Sequence, residues 1–304
     1  MNRILVTGAT GSIGSRVVRL LVGQGREVIV LARQGSSLSR LNDVLPQIRL
    51  LRADFVAEHD LARILKEARP EALLHLGWQG VGGAERNSLV QVENLHASIR
   101  LYVAAREAGC GTMVGVGSQA EYGWANGSLS ETAPTYPTTL YGAAKLATGI
   151  VLERMASLGG ARFAWLRLFS SYGPGDDPQW LIQYVARQLL VGKRPALTTA
   201  KQLWDYIHVD DAATAIVAAM DRRLHGFYNL GSGVARRLDE ILLLLRDMID
   251  PELQLGFGEL PHAKDQIWHL EADIGKLKEA TGWRPMIDLE AGLGTVLDWL
   301  RQNS

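Results

Sequence analysis

Short apolar runs alternate with longer amphipathic segments through the first half of the chain. In the amphipathic segments apolar residues recur every three or four positions, which is the period of a helix. The predicted strands are 4–7, 27–31, 48–51, 72–76, 113–116 and 163–168, and the predicted helices between them are 15–22, 61–67, 87–108 and 140–158. Strands separated by helices are typical of βαβ units, so we expect an α/β fold with a doubly wound parallel sheet.

The pattern becomes irregular after Gly173. Helices are predicted near 179–191, 210–221, 238–249 and 288–301, with short strands between them. We therefore expect one domain over 1–172 and a smaller C-terminal lobe formed mainly by 173–304. Because residues of about 205–232 again read as strand and helix, we expect them to return to the first domain.

Composition and charge exclude several classes of protein. Lys and Arg number 32 and so do Asp and Glu, which gives no net charge and argues against nucleic-acid binding. With Cys110 as the single cysteine, no intramolecular disulfide and no cysteine-rich zinc site can form. The apolar run at the N-terminus is too short for a signal peptide, and no apolar stretch approaches the roughly 18–20 residues that span a bilayer. We expect a cytoplasmic protein without membrane contact.

A glycine-rich loop lies directly between the first predicted strand and the first helix. It reads Gly8-Ala9-Thr10-Gly11-Ser12-Ile13-Gly14. Gly8 would permit the tight turn, Gly11 the approach of a pyrophosphate, and Gly14 the close packing of helix on strand. The helix N-terminus would add free N–H groups and a positive dipole end. The loop predicts a Rossmann-type dinucleotide-binding domain, in which Gly8, Gly11, Ser12, Ile13 and Gly14 bind the cofactor.

The end of the second strand bears on the choice of dinucleotide. Sites for NAD commonly place a carboxylate about 20 residues after the glycine motif, where it binds the ribose 2′-hydroxyl. This chain instead has Leu31-Ala32-Arg33, followed by Ser36 and Ser37. Because Arg33 could pair with a 2′-phosphate, the sequence favours NADP(H) over NAD(H).

Tyr141 and Lys145 stand four residues apart on a predicted helix, so both side chains share one face. A phenol with a pKa of about 10 transfers protons poorly at neutral pH. A neighbouring ammonium group favours the phenolate and can also bind a ribose. Such a pair also occurs by chance in many helices, so the spacing alone does not identify a catalytic site.

Several further motifs appear in a fixed order along nearly the whole chain. They are GATGSIG at 8–14, Asp54, His75-Leu76, Asn94, GSQAEYG at 117–123, YGAAK at 141–145, RLFSSYGPG at 167–175, DYIHVDD at 205–211, NLGSG at 229–233 and GWRP at 282–285. With these motifs the chain resembles the extended short-chain dehydrogenase/reductases, a family of nucleotide-sugar epimerases, dehydratases and ketoreductases.

The resemblance implies roles for individual residues. Tyr141 would be the catalytic acid and base, Lys145 would lower its pKa and hold the nicotinamide ribose, and Ser118 would hydrogen-bond the reacting oxygen. Asn94 would support the active-site network. Asp54, with Phe55 beside it, would contact the adenine, and Leu76 would line the cofactor site. Asp54 could equally be a strand-end cap, and Asn94 a buried polar residue bonded to backbone.

Departures from the family pattern narrow the reaction. The 4,6-dehydratases of the family carry an Asp–Glu pair directly after the catalytic Ser or Thr, where this chain has Gln119 and Ala120. Glu121 is one position further on and should point elsewhere. The segments 173–182 and 202–211 resemble those of enzymes that reduce 4-keto-6-deoxy nucleotide sugars. Together with the missing carboxylate after the second strand, this resemblance implies NADPH-dependent reduction of a keto group on a nucleotide-linked 4-keto-6-deoxy sugar. An NAD(P)-dependent nucleotide-sugar 4-epimerase is the alternative, and a non-catalytic dinucleotide-binding regulator is a second one.

Other departures concern the nucleotide end of the substrate. Many relatives have pyrophosphate-binding arginines where this chain has Trp204 and His262, and Ser170 replaces a usual Asn. Either the diphosphate is held differently or the substrate lacks one. We expect Gln119, Ser170, Trp180 and Trp204 to contact the substrate, although both tryptophans could equally be core residues. The basic candidates for an anion clamp are Lys193, Arg194, Arg236, Arg237 and Lys264.

Two further expectations concern metals and assembly. His208 lies close to Asp210 and Asp211, but this group more simply caps a helix that begins near residue 211, so we expect no metal site. Family members commonly dimerise through the two long helices, here about 87–108 and 140–158. The resemblance therefore implies a homodimer.

Overall fold

The computed structural model describes residues 1–54 and 61–303. Within these ranges the strands are β1 (Arg3–Thr7), β2 (Glu27–Ala32), β3 (Ile48–Arg52), β4 (Ala72–His75), β5 (Thr112–Ser118), β6 (Gly127–Leu129), β7 (Arg162–Leu168), β8 (Ser170–Tyr172), β9 (Leu203–His208), β10 (Gly226–Leu230), β11 (Ala235–Arg237) and β12 (His269–Ala272). The helices are α1 (Ser12–Gly23), α2 (Leu61–Ala68), α3 (Val90–Glu107), α4 (Leu140–Leu158), α5 (Leu181–Leu190), α6 (Val209–Asp221), α7 (Leu238–Asp247), α8 (Gly275–Thr281) and α9 (Leu289–Gln302). Short 3₁₀ turns at Gly83–Asn87 and Gln119–Glu121 follow β4 and β5.

Seven strands form one sheet in the order β10-β7-β5-β4-β1-β2-β3, and every pairing in it is parallel. From β1 the chain builds outward in one direction through β2 and β3, and then in the other through β4, β5, β7 and β10. The strand order therefore reverses between β1 and β4. Open α/β sheets bind ligands outside the carboxyl ends of the strands at such a reversal. The expected doubly wound parallel sheet is confirmed.

Helices cover both faces of this sheet. Ile4 and Val6 of β1 point to a core shared with α1 and α6, whereas Leu5 points to a second core shared with α2, α3 and α4. Strands that are buried on both faces have apolar residues at consecutive positions. This is why the sequence shows continuous apolar runs at β1 and β2 instead of an alternation of apolar and polar residues.

The first long helix begins later than the sequence pattern predicts. A 3₁₀ turn ends at Asn87, Ser88 is extended, and α3 starts at Val90. The Asn87 side chain accepts a hydrogen bond from the backbone N–H of Leu140 at 3.0 Å, at the start of α4. The prediction of a continuous helix from residue 87 is therefore wrong, because Asn87 is used to join two elements. The predicted bounds of α4 agree with the structure.

A second, smaller sheet has the order β11-β9-β12-β6, with β8 paired to β9, and its edge strand β6 (Gly127–Leu129) comes from the first half of the chain. A third apolar core lies among α5, α7 and α9. The buried Asp205 carboxylate of β9 accepts hydrogen bonds from the backbone N–H groups of Ser232, Gly233 and Ala272, which fastens three segments together. In the part of the chain that the structure describes, no helix has the length and apolar character needed to cross a bilayer.

The cap of α6 differs in detail from the expectation. The helix begins at Val209, and the His208 side chain itself accepts a hydrogen bond from the Asp210 backbone N–H at 3.3 Å. Asp210 pairs with Arg16 of α1, while Asp211 accepts hydrogen bonds from the backbone of residues 286 and 287. The acidic residues therefore join α6 to neighbouring elements, and His208 supplies the cap.

Candidate active site

The glycine loop has the close packing that its sequence requires. Gly8 has a φ of 69°, and a Cβ atom there would lie 2.6 Å from the backbone N of Gly77. A Cβ atom on Gly14 would overlap the carbonyl oxygen of Gly8, so α1 can approach β1 only because this position has no side chain. The hydroxyl oxygen of Ser12, in the first turn of α1, is buried and has no hydrogen-bond partner among the described residues. A phosphate oxygen at the start of α1 would supply such a partner.

A cleft of about 200 Å³ lies above this loop, at the strand-order reversal. It is lined by Gly8, Thr10, Gly11, Leu31, Ala32, Arg33, Ser36, Ala53, Leu76, Gly77, Trp78 and Gln79. Four residues expected to bind the cofactor therefore meet here, namely Gly8, Gly11, Arg33 and Leu76. Ser12, Ile13 and Gly14 form the adjoining first turn of α1, and Asp54 follows the lining residue Ala53. Phe55 lies outside the described residues.

The end of this cleft next to β2 is basic. Arg52 donates hydrogen bonds to the carbonyl oxygens of Arg33 at 2.8 Å and Ser36 at 3.3 Å, which shapes the loop after β2. The Arg33 side chain is exposed, and it makes no ion pair with another described residue. No carboxylate is found among the described residues that line the cleft. The residues present fit a dinucleotide, with Arg33 available to an anionic group.

A larger cavity of about 540 Å³ adjoins the carboxyl ends of β5 and β7. It is lined by Val81, Arg86, Gly117, Ser118, Gln119, Tyr141, Leu168, Phe169, Ser170, Ser171, Tyr172, Asp176, Trp180, Leu181, Ile182, Gln183, Gln202, Trp204, Tyr206, Leu238 and Gln266. The structure thus brings together Ser118 and Tyr141 with all four residues expected to contact the substrate. Those four come from three separate segments of the chain, which only the fold makes neighbours.

Tyr141 is held in a setting that restricts its ionisation. It is 8% exposed, and burial raises the pKa of its phenol. The neighbouring Ser118 hydroxyl and the charge of Arg86 both lower that pKa. The guanidinium carbon of Arg86 lies 4.4 Å from the centre of the Tyr141 ring. Arg86 was not predicted, because it lies in a polar segment without a recognisable motif.

Lys145 lies one turn further along α4 and is buried. Its Nζ atom donates to the carbonyl oxygen of Val116 at 2.7 Å and lies 3.9 Å from the centre of the Trp78 ring. Burial lowers the pKa of Lys145 to about 7, against the opposing effect of the Glu121 carboxylate. Unlike a surface lysine, this side chain can therefore lose its proton near neutral pH.

A buried ionic network holds the backbone of Ser118 on the side of the core. Glu121 is fully buried and accepts hydrogen bonds from the Ser118 backbone N–H at 2.9 Å and the Trp165 indole N–H at 2.9 Å. Its second oxygen accepts from Arg167 at 2.8 Å. Arg167 also donates to the Tyr122 hydroxyl at 3.0 Å. Glu121 thus points into the core and away from the cavity, as expected from its position in the sequence.

Asn94 of α3 takes a role close to the one that the resemblance implies. Its side chain accepts from the Gln79 backbone N–H at 3.1 Å and donates to the Gln79 carbonyl at 2.9 Å. Gln79 lines the cofactor cleft, so Asn94 shapes that wall through a backbone contact. Asn94 is thus a buried polar residue bonded to backbone, which was one of the two alternatives, and its role in the active-site network stays a prediction.

Two of the departures from the family pattern contact each other. The Trp204 indole N–H donates to the Ser170 hydroxyl at 2.7 Å, on the wall of the larger cavity. His262 hydrogen-bonds with Thr199 and does not line this cavity. Of the basic candidates, Arg194 pairs with Glu259 and Arg237 with Asp239, while Arg236 lines a separate pocket of about 240 Å³ beside Trp204. Among the described residues, Arg86 is the sole cation on the wall of the larger cavity.

Known proteins share both the sequence pattern and the fold. The NAD dependent epimerase/dehydratase family matches residues 4–231. A putative UDP-glucose 4-epimerase of Methanocaldococcus jannaschii is 26% identical, over 99% of this chain and 99% of its own. A dTDP-glucose 4,6-dehydratase of Neisseria meningitidis is 25% identical, over 100% of this chain and 94% of its own. The crystal structure of a UDP-glucose 4-epimerase from Thermotoga maritima, solved with UDP-glucose, superposes with a TM-score of 0.85 at 26% identity, covering 100% of this chain and 99% of that one.

These relatives cover the whole length of the chain, so the similarity includes the C-terminal lobe as well as the sheet. The expected fold, with a dinucleotide loop at the strand-order reversal, is the fold of these relatives. The chain therefore belongs to the NAD dependent epimerase/dehydratase family of extended short-chain dehydrogenase/reductases, and it is an enzyme of the oxidoreductase or epimerase type.

Proposed function

We propose that this enzyme reduces a keto group on a nucleotide-linked 4-keto-6-deoxy sugar with NADPH. The observation that carries the proposal is that the hydroxyl-bearing residues Ser118 and Tyr141, both buried, line the same wall of a 540 Å³ cavity. Two hydroxyl groups that converge on one point can both hydrogen-bond a carbonyl oxygen bound there. The cavity volume is within the range of small-molecule sites.

Each residue of the site has a part in this reaction. NADPH would supply the hydride that the carbonyl carbon accepts. The Tyr141 hydroxyl donates its proton to the carbonyl oxygen, and the Ser118 hydroxyl stabilises the negative charge that develops on that oxygen. The Lys145 ammonium favours the phenolate that remains, because opposite charges stabilise each other in a buried site.

The preference for NADP(H) rests on the end of β2. Arg33 and Ser36 line the cofactor cleft, and the described lining residues include no carboxylate to bind a 2′-hydroxyl. A 2′-phosphate would instead accept charge-assisted hydrogen bonds from Arg33. A net reductase uses a fresh reduced cofactor in each turnover, which fits an exchangeable NADPH.

Dehydration is disfavoured by the residues after Ser118. Gln119 lines the cavity but cannot exchange protons near neutral pH, and Ala120 has no polar group. Glu121 is committed to Ser118, Trp165 and Arg167. Although some relatives are named 4,6-dehydratases, the matching positions here do not supply the acid and base of that reaction.

A 4-epimerase that uses the same residues is the second candidate, and the names of several relatives favour it. An epimerase of this family keeps its NAD bound, whereas a reductase exchanges its cofactor. The first experiment is therefore an absorbance scan of the purified enzyme together with fluorescence titrations with NADPH and NADH. Selective binding of NADPH to protein free of dinucleotide supports the reductase. Retained NAD that does not exchange would refute it in favour of the epimerase.

The role of Tyr141 is tested by the Tyr141→Phe variant with a nucleoside-diphosphate-linked 4-keto-6-deoxyhexose and NADPH. Loss of a general acid typically lowers turnover about 10²–10⁴-fold, and we expect a loss in that range with little change in NADPH affinity. Tyr136→Phe is the matched control, because Tyr136 is exposed and lies outside the cavity. Equal turnover in the two variants would contradict the mechanism.

We also propose that the enzyme is a homodimer assembled through α3 and α4. Val103 of α3 and Ile150 and Leu158 of α4 are exposed, although both helices already cover the sheet with other apolar residues. Helices that are apolar on more than one face are usually buried on more than one face. Light scattering of the Val103→Glu, Ile150→Glu double variant should give the mass of a monomer, and an unchanged mass would exclude this interface.

A further inference from the structure

One loop separates the cofactor cleft from the larger cavity. Residues 77–79 line the cleft, whereas Val81 and Arg86 line the cavity. The loop is held from α3 by the fully buried Gln91, whose amide nitrogen donates to the carbonyl oxygens of Gly80 at 2.7 Å and Glu85 at 3.0 Å. We call residues 77–87 the dividing loop. Gln91 thus holds the backbone of this loop at two points, Gly80 and Glu85.

The indole of Trp78 is oriented by the same glutamine. Its Nε1–H group donates to the Gln91 side-chain oxygen at 2.8 Å. The ring then presents its face to the Lys145 Nζ atom at 3.9 Å and meets the Tyr141 ring at 88°, with the centres 6.4 Å apart. A cation over the face of an indole is attracted by the ring quadrupole, and the attraction grows when the pair is removed from water.

The other groups around Lys145 do not replace its contact with the Trp78 ring. On its own helix, Lys145 faces Tyr141. The Glu121 carboxylate, in the turn after β5, raises the pKa of Lys145 but is already paired with Arg167. At the end of β4, burial and the charge of Lys145 lower the pKa of His75 to about 3, so that histidine is neutral at physiological pH. Among the described residues, the nearest groups to the ammonium are thus the Val116 carbonyl and the Trp78 indole face. The centres of the Trp165 and Tyr141 rings lie further from it, at 5.7 and 5.9 Å.

We propose that Trp78 is a positioning residue for Lys145: its indole face holds the ammonium against the carbonyl of Val116 and keeps it charged where the cofactor binds. The inference rests on the proposed function, because it takes Lys145 to bind the cofactor. Trp78 itself is part of the wall of the cofactor cleft, so the contact lies where it can act on the bound dinucleotide. A leucine at this position would fill part of the volume but offer no negative ring face.

The test is the dissociation constant of NADPH, measured by fluorescence at several values between about pH 6 and about pH 9. Protonated Lys145 attracts the anionic cofactor, so affinity should fall as pH rises through the pKa of Lys145. In Trp78→Leu the midpoint of this fall should move about one pH unit lower, because the loss of a buried cation–π contact destabilises the charged form. Trp78→Phe keeps an aromatic face without the bond to Gln91 and should restore most of the shift. Lys145→Met should remove the pH dependence.

The outcomes separate the inference from the proposed function. A midpoint that is the same in Trp78→Leu as in the wild type, or a wild-type affinity that does not change with pH, overturns the role of Trp78 while NADPH binding itself still supports a reductase. A Trp78→Phe midpoint as low as that of Trp78→Leu overturns it too, because the effect would then follow from the bond to Gln91. A folded wild-type enzyme that binds neither NADPH nor NADH refutes the proposed function and the role of Trp78 with it.

Discussion

The buried pair of Glu121 and Arg167 gives the sharpest prediction for stability. In Glu121→Gln the amide oxygen can keep the hydrogen bonds from Ser118 and Trp165, but the amide NH₂ group then faces the N–H of Arg167, where a carboxylate oxygen accepted at 2.8 Å. Turning the amide around would give up the other two bonds instead. Either way a guanidinium remains buried without its counter-charge.

The expected cost follows from this geometry. Removing one partner of a buried ion pair costs about 3–5 kcal/mol. Arg167 keeps hydrogen bonds to the Tyr122 hydroxyl at 3.0 Å and to the Glu131 carbonyl at 3.3 Å, so we expect a loss near the lower limit. The predicted decrease in the free energy of unfolding is therefore about 3 kcal/mol.

Urea unfolding followed by tryptophan fluorescence measures this difference. Glu259→Gln is a suitable control, because Glu259 pairs with Arg194 at 2.7 Å while both side chains are exposed. Exposed pairs are worth about 0.2–1 kcal/mol. If the two variants lose equal stability, the reasoning from burial is refuted. If the Glu121→Gln enzyme instead keeps the wild-type free energy of unfolding and has reduced turnover, the stability prediction is wrong and the network acts by positioning Ser118.

Two further predictions concern arginines of the site. Arg33→Ala should weaken NADPH binding about tenfold or more and leave NADH binding unchanged, because a charge-assisted hydrogen bond is worth about 1.5–3 kcal/mol. Fluorescence titration measures both affinities, and Arg49→Ala, at an exposed position of β3, is the control. An equal loss of affinity for both dinucleotides would exclude a 2′-phosphate contact. Arg86→Met should move the alkaline limb of the pH–turnover profile to higher pH, because the Arg86 charge lowers the pKa of Tyr141 and reduction needs the protonated phenol. Arg86→Lys should keep the limb in place, and an unchanged limb in Arg86→Met would show that this charge does not act on Tyr141.

The strands of the sheet, the start of α4 and the glycine loop could be predicted because short stretches of sequence indicate each of them. The strands of the sheet are continuous apolar runs, and α4 begins after Thr139, whose hydroxyl caps the helix by accepting from the Gly142 backbone N–H. Gly8 and Gly14 stand where the backbone leaves no room for a Cβ atom. Such requirements are local in sequence, so the residues themselves show them.

Other parts depend on contacts between distant segments. The hydrogen bond from Trp204 to Ser170 joins residues of β9 and β8, and nothing near either residue in the chain indicates it. The start of the helix predicted from residue 87 differs from the structure because Asn87 binds the backbone of Leu140, far along the chain. The position of Arg86 over Tyr141 follows from that same docking of the turn Gly83–Asn87 against α4. These features arise from tertiary packing, which periodicity and propensity do not report.

The dividing loop has a consequence for how binding to this enzyme is measured. Because its residues form a wall of the cofactor cleft and a wall of the larger cavity, a ligand that shifts the loop from one side would alter the free energy of binding on the other side. Linkage between two binding equilibria is reciprocal, so each ligand must change the affinity for the other by the same factor. A change in the apparent affinity for the sugar in a variant of this loop therefore has to be measured both with and without dinucleotide before it is assigned to the sugar contacts.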